Sequence, residues 1–244
     1  MKTLVVFSGA GLSKESGIPT FRDSQDGLWH NHKVEDVASP QGWKKDKETV
    51  LKFYEERAKN INEAQPNAAH EAIARLQEKY RVLNITQNID DLLERAGCKE
   101  VHHLHGSIRR KKCEFHQNTQ NHFDSDYPCY YEEETDNWAK PGEECPVCGG
   151  QLRPDVVWFG EAVDMKNFEL LELAHHPDTL GIIGVGTSGN VQPAASILLM
   201  FNHCREKHFV DPNPPGRLFS WKLWTGPATR EMPKLVKKLL VEAP

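Results

Sequence analysis

Thr3-Leu4-Val5-Val6-Phe7-Ser8-Gly9-Ala10-Gly11 is the stretch that decides the fold. Residues 3–7 are apolar and largely β-branched, so they read as a buried strand. The glycines that follow at once read as a tight turn leading into a helix start. Strand, glycine turn and helix make the first half of a βαβ unit. Gly9 and Gly11 stand where a backbone can approach a pyrophosphate and helix N–H groups can face an anion. The third glycine of the dinucleotide fingerprint is not at its usual spacing, because Leu12-Ser13-Lys14 follow. Taken alone, the turn serves equally as a plain tight turn or a phosphate cradle.

Further along, apolar residues recur at helical spacing over 48–63 (Leu51, Tyr54, Ala58, Ile61) and over 68–80 (Ala69, Ile73, Leu76, Tyr80), with Pro66 between them. A strand at 81–85, a helix at 91–96 closed by Gly97, a short strand near 101–104 and an apolar strand at 180–185 follow. Strands alternating with helices predict an α/β fold, a parallel sheet covered on both faces with ligands at the carboxyl ends of its strands. Between about 109 and 153 the pattern breaks. Charges, aromatics, Asn and Pro crowd together there with the closest cysteine pair, which marks an inserted module.

Composition narrows the function classes. The 244 residues, 38% hydrophobic and 27% charged, lie in the range of globular chains and outside that of disordered ones. Thirty basic against 35 acidic residues leave a net charge of −5, so no overall basic field exists to hold nucleic acid or an anionic membrane. No stretch approaches the ~18 apolar residues of a membrane span, and the apolar run at 4–7 is too short for a signal peptide. A cytoplasmic protein with neither nucleic-acid nor membrane partners is expected. Six cysteines, of which only Cys145 and Cys148 are closely spaced, are too few for a disulfide scaffold and point to metal or inert thiols.

The chemistry-bearing residues follow the strands. Thr86-Gln87-Asn88-Ile89-Asp90 comes after the strand at 81–85, and Gly186-Thr187-Ser188-Gly189-Asn190 after the strand at 180–185. Their amides, hydroxyls and carboxylate suit a ribose and phosphates. In His102-His103-Leu104-His105-Gly106-Ser107, any of three histidines could be a general base; His105 is favoured because Gly106 lets the chain turn there. Cys145-Pro146-Val147-Cys148-Gly149-Gly150 can aim two thiolates at one zinc, and Cys113 with His116 repeats the two-residue spacing. The expected ligand set is Cys113, His116, Cys145 and Cys148, with Cys129, 16 positions before Cys145, as a competitor. Cys98 and Cys204 read as ordinary small residues.

At this point the chain resembles the sirtuins, NAD-dependent protein-lysine deacylases. The resemblance rests on GAGLSKESGIPTFRD (9–23), TQNIDDLLERAG (86–97), HLHGS (103–107), CPVCGGQLRPDVVWFGE (145–161), GTSGNVQPA (186–194) and DPNP (211–214), in the family's order over nearly the whole chain. It implies a Rossmann-like NAD-binding domain made of 1–26, 76–108 and 154–244, a helical insertion at 27–75 and a zinc-ribbon insertion at 109–153. It also implies roles. Gly9, Ala10 and Gly11 would contact phosphates, with Phe21 and Arg22 in a loop over the nicotinamide ribose. Gln87, Asn88 and Asp90 would hold the ribose and nicotinamide, and His105 would be the base, with Asn88 and Asp90 beside it in the catalytic set. Gly186, Thr187, Ser188, Asn213 and Ala228 would lie along the phosphates and adenosine. Val156, Trp158 and Phe159 would line a tunnel for acylated lysine of a protein or peptide and pair with its backbone as a strand. Two departures stand out: His116 occupies the position of the family's second zinc cysteine, and Gly189 that of a bulky apolar residue. The chain looks like the short bacterial type.

Tyr54 and Arg57, three apart on a helix, emerge on one face and can grip a carboxylate by charge-assisted hydrogen bonds. The Tyr-x-x-Arg pattern, with Ala38 in the preceding segment, resembles sirtuins that prefer succinyl- and malonyl-lysine. Glu55 and Glu56 should point away from that face. Two other readings stand beside deacylation: an NAD-consuming ADP-ribosyltransferase or glycohydrolase, and a non-catalytic NAD or ADP-ribose binder.

Overall fold

The computed structural model describes residues 1–19, 32–116, 129–163, 170–189, 194–216, 218 and 220–241. The opening apolar run is β1 (Thr3–Ser8), buried along its whole length. No α-helix starts after it. Two single 3-10 turns, Ala10–Leu12 and Lys14–Ser16, follow instead. The expected helix fails because the Gly11 N–H donates to Gly186 O at 2.8 Å, and Pro19 disfavours helix at the residue before it.

Next come α1 (Val34–Val37), α2 (Pro40–Lys45), α3 (Lys47–Glu63) and α4 (Ala68–Arg75), then β2 (Arg81–Thr86), α5 (Leu92–Arg95) and β3 (Glu100–His103). Asp46 caps α3 by accepting from the Thr49 N–H at 3.0 Å, and Asn67 with His70 forms a capping box at the start of α4. The strands β4 (Gly106–Cys113), β5 (Glu132–Glu134) and β6 (Leu152–Val156) occupy the region where the sequence pattern broke. The chain continues through α6 (Leu170–His175), β7 (Thr179–Val185), α7 (Ala194–Met200), β8 (Glu206–Asp211), β9 (Lys222–Thr225) and α8 (Ala228–Val241).

Six strands form one sheet in the order β3-β2-β1-β7-β8-β9, every neighbouring pair parallel. Ile73, Leu76, Leu235 and Val236, from α4, the turn after it and α8, share one apolar cluster with Val6 and Val82. Ile197, Leu198 and Phe201 of α7 and its end pack with Val5, Phe7 and Ile182 in another. The alternating residues of β1 thus face opposite sides, as a sheet covered on both faces requires. Strand order reverses between β1 and β7, which opens the crevice where such sheets bind ligands.

A second sheet, β5-β4-β6, is antiparallel. With α1, α2 and α3 it encloses a third cluster that includes Trp43, Phe53, Tyr54, Val156 and Trp158, and also Cys113, Cys129 and Cys145. Among the described residues, no helix is long and apolar enough to cross a membrane.

Candidate active site

The loops after β1 and β7 interlock at the strand-order reversal. Gly9 N–H donates to Val185 O at 3.1 Å and Gly11 N–H to Gly186 O at 2.8 Å. A Cβ on Gly11 would stand 2.8 Å from Gly186 backbone atoms, and one on Gly186, itself at φ 60°, would collide with Leu12 N. The glycines are therefore required by backbone-on-backbone packing that brings two loops to one place. Gln87 closes the junction by donating from Nε2 to Thr187 Oγ1 at 2.9 Å.

A cavity of about 850 Å³ opens there. On one side it gathers Gly9, Ala10 and Gly11 after β1 with Gly186, Thr187 and Ser188 after β7. Asn213 after β8 and Ala228 at the start of α8 extend this wall, while Gln87, Asn88 and Asp90 after β2 and His105 after β3 form its floor. The opposite wall carries Ala38, Tyr54 and Arg57 from the helical region and Val156, Trp158 and Phe159 from the end of β6. Eighteen residues singled out from sequence thus line one space. Phe21 and Arg22 lie outside the described residues.

The structure sorts the three histidines. His103 has both ring nitrogens engaged, Nδ1 with Asn88 O at 2.7 Å and Nε2 with Glu94 at 2.8 Å. Burial works against its charge, but Glu94 and the Asn88 carbonyl outweigh that and raise its pKa. His102 faces a different cleft. His105 alone of the three lines the cavity, and its Nδ1–H donates to Gln87 O at 2.9 Å. That bond fixes the tautomer and leaves the Nε2 lone pair for a proton. Burial lowers the His105 pKa, opposed by the Gln87 bond, so the neutral form is held. Gly106 beside it sits at φ 76°, with Asp155 O where a Cβ would point, so only glycine permits this turn.

Beneath Asn88 and Asp90 runs a buried network that sequence reading missed. Asn88 Nδ2 donates to Ser13 Oγ at 3.1 Å, and His70 Nε2 stands 3.5 Å from the same oxygen. His70 Nδ1 accepts from the Asn67 N–H at 3.2 Å, so the Nε2 side carries the hydrogen. Burial pushes the His70 pKa down to about 4, keeping it neutral. Burial also raises that of Asp90, against bonds from Ser13 and the Leu92 N–H. Ser13 is visible in sequence only as the residue that interrupts the glycine spacing, and His70 only as a helix position.

On the opposite wall, Tyr54 is 3% exposed and its phenol is pushed up to about 12 by burial, with Arg57 and Trp158 pulling the other way. It is a neutral donor. Glu55 pairs outward with Lys59 at 2.8 Å and Glu56 is exposed, as helical spacing implied. Arg153, 0% exposed, forks onto Glu161 at 2.8 and 3.0 Å and lies 3.4 Å over the Trp158 ring. The Trp158 N–H donates to Glu161 at 2.9 Å and the Phe159 N–H to Ala38 O at 3.0 Å. These two amides are committed internally, so the expected strand pairing with a substrate would have to use other groups of this loop.

The metal ligand set needs correction. Cys113, Cys129, Cys145 and Cys148 bring their sulfurs within 4.8 Å of one another, and His116 is not among them. The Cys129 N–H donates to Phe115 O at 3.0 Å, and this return of the chain puts Cys129 in the fourth corner. His116 lies in the turn after β4, with Nε2 3.7 Å from Glu132. Two sulfur pairs stand 3.4 Å (Cys113 and Cys148) and 3.6 Å (Cys129 and Cys145) apart, near the ~3.8 Å edge of a tetrahedron with ~2.3 Å Zn–S bonds. The cluster fits zinc held by four thiolates. Such a site leaves no open position for chemistry.

A model of the Sir2 family matches residues 9–193. A protein of Helicobacter pylori named NAD-dependent protein deacylase is 42% identical over 214 residues, 87% of this chain and 85% of the relative. The NAD-dependent protein deacylase 1 of Pseudomonas aeruginosa is 40% identical over 243 residues, 97% of this chain and 94% of its own. Among solved structures, a mutant Sir2 homologue in complex with ADP-ribose superposes with a TM-score of 0.82 at 37% identity, covering 100% of this chain and 95% of that one. A Sir2 homologue in complex with NAD gives 0.82 at 38%, over 98% and 90%. With its interlocked glycine loops, its buried asparagine and aspartate and its neutral histidine lining one cavity, the chain belongs to the Sir2 family.

Proposed function

We propose that this chain removes acyl groups from lysine side chains of proteins, consuming NAD and releasing nicotinamide and O-acyl-ADP-ribose, and that it takes succinyl and malonyl groups at least as well as acetyl. The observation that carries the reading is the single cavity. Nucleotide-binding loops and His105 form one side, and a tyrosine–arginine pair stands on the other. When bound, NAD supplies an electrophilic ribose carbon that loses nicotinamide as the acyl oxygen attacks, and a ribose hydroxyl that receives the acyl group.

The protein's own part is positioning and one proton transfer. The backbone around Gly9–Gly11 and Gly186–Ser188 receives the phosphates, and Asn213 and Ala228 the adenosine. Gln87, Asn88 and Asp90, braced by Ser13 and His70, orient the ribose and the nicotinamide amide. His105 accepts a proton at Nε2 from a ribose hydroxyl, in a tautomer fixed by Gln87 O. Phe159 and Val156 wall the lysine channel. Tyr54 and Arg57 offer a neutral donor and a cation to an acyl carboxylate. The chain divides accordingly into a nucleotide-binding part (1–26, 76–108 and 154–244), a helical insertion (27–75) and a zinc ribbon (109–153), with 106–108 and 154–158 of the first part packed into the smaller half through β4 and β6 and α4 of the insertion packed on the parallel sheet. A reducing compartment such as the cytoplasm suits cysteines that are all free of disulfides.

Incubation with NAD and an acylated peptide, followed by mass spectrometry of the products, tests the reading. One nicotinamide and one O-acyl-ADP-ribose should appear per lysine freed. Free ADP-ribose with the peptide still acylated, or ADP-ribose attached to protein, would favour the glycohydrolase or transferase instead.

A further inference from the structure

His103 ends β3 and His105 follows two positions on, and each turns its Nδ1 onto one of two successive carbonyls in the loop after β2. His105 meets Gln87 O at 2.9 Å and His103 meets Asn88 O at 2.7 Å. The second nitrogens differ. His105 lines the cavity, whereas His103 Nε2 lies 2.8 Å from a carboxylate oxygen of Glu94 on α5. A carbonyl and a carboxylate can only accept, so both His103 contacts are hydrogen bonds only when both ring nitrogens carry hydrogen, that is, in the imidazolium. Asn88 is the residue so held. Its N–H donates to Thr86 Oγ1 at 3.1 Å and its side chain to Ser13 Oγ at 3.1 Å, so His103 supplies a third tie to a residue that lines the cavity.

The surroundings favour that charge. Burial opposes it, but Glu94, the Asn88 carbonyl and Asp90 of the same loop outweigh burial and raise the His103 pKa. His102, next to it on β3, has its own pKa lowered by burial, which holds it neutral. Asp91, and Arg109 of β4, line the same cleft and offset each other through a bond of 3.0 Å.

We propose that His103 is a positioning residue for deacylation: as an imidazolium clamped between Glu94 and the Asn88 carbonyl, it fixes the loop that carries Gln87, Asn88 and Asp90, and turnover falls when its proton leaves. This rests on the reading of that loop as the ribose and nicotinamide site. In the neutral ring one hydrogen remains for two acceptors. The bond to the charged carboxylate is the stronger, so the hydrogen stays on Nε2, and the Nδ1 lone pair then faces Asn88 O. The carbonyl has to move away. Activity therefore needs His105 neutral and His103 charged, which makes the pH profile of kcat/KM a bell with its acid limb set by His105 and its alkaline limb by His103.

The test joins nitrogen NMR of the histidine rings in the full-length protein to deacetylation profiles of that protein, Glu94→Gln and His103→Phe. Both ring nitrogens of His103 should be protonated at neutral pH, and its titration should coincide with an alkaline limb above the ordinary ~6.5 of histidine. In Glu94→Gln the amide can donate to Nε2 of a neutral ring, which keeps Nδ1–H on Asn88. The decline across the alkaline limb, about tenfold for one buried hydrogen bond, should then vanish. His103→Phe should be about tenfold slower on the neutral plateau and lack the limb. If that variant fails to fold, the titration and Glu94→Gln decide alone. A His103 with one protonated nitrogen at neutrality, or an alkaline limb that keeps its place and depth in either variant, overturns the proposal and leaves the deacylase reading intact. If no O-acyl-ADP-ribose forms at any pH, that reading fails and the role of His103 falls with it.

Discussion

The two halves of the molecule hold their functional groups in opposite ways. In the parallel sheet, most of the core, Phe7, Ile85 and Ile183 among it, lies away from the cavity, with Val210 and Ala228 as exceptions that line it, and most working groups ride on loops beyond the strand ends. In the smaller half, Ala38, Tyr54, Val156 and Trp158 belong at once to the hydrophobic core and to the cavity wall. That same core takes in three of the four clustered cysteines. Chemistry built on loops can change without disturbing the fold that carries it. Recognition built into a core cannot, so stability, metal content and acyl preference should move together in one half and separately in the other.

Metal removal should expose this difference most strongly, because zinc binding in small thiolate sites contributes roughly 10–16 kcal/mol to folding. The protein should contain one zinc per chain. Stripping it should abolish hydrogen-exchange protection in α3, β4 and β6 while β1, β2 and β7 keep theirs. Cys129→Ala should lose zinc and His116→Ala should retain it, as metal analysis of the two proteins would establish. Uniform loss of protection in both sheets would remove the distinction between the halves.

On the loop side, His105→Ala should cut deacylation ~10²–10⁴-fold, the usual loss on removing a positioned base. Melting temperature and ADP-ribose affinity should stay close to those of the unaltered protein. A variant that melted much earlier would mean that His105 is structural after all. The pH profile sharpens the same point. Because burial lowers the His105 pKa, Nε2 is unprotonated at neutrality and activity is lost as pH falls, with the acid limb of kcat/KM below the ordinary 6.5. A limb above that value would point to another base.

The smallest expected effect concerns the joint within the small half. Glu114 accepts from Trp43 Nε1 at 3.0 Å and from the Gln151 N–H at 2.8 Å, and it pairs with Lys47. It ties the zinc-bearing sheet to α2 and the start of α3. Glu114→Ala should lower stability by about 1–3 kcal/mol, since it strands buried donors, and calorimetric unfolding would measure it.

How much of this was legible in sequence follows the same division. The parallel sheet could be read because its strands are short apolar runs and its glycines mark turns, and the cavity's nucleotide side could be read because those groups follow strands directly. What escaped were contacts made by distant segments. The helix expected after Gly11 is replaced by 3-10 turns because Gly186, 175 positions on, takes the Gly11 N–H. Ser13 and His70 gain meaning only when α4 is folded against the first turn. His116 shares the spacing of a ligand with Cys113, but spacing says nothing of a chain that returns at Cys129. The Arg153–Glu161 pair under Trp158 had no sequence signal beyond its place in the motif.

Arg57→Met puts the separation of the two halves to its most direct test, through ADP-ribose affinity and kcat/KM on acetyl and succinyl forms of one peptide in a single preparation. The succinyl-to-acetyl ratio should be at least one in the unaltered protein. It should fall by the equivalent of about 2–5 kcal/mol in the variant, as a buried carboxylate loses its partner, while ADP-ribose binds as before. A variant in which all three quantities decline together would contradict this, because it would make Arg57 a support of the whole fold and leave acyl recognition without its reader.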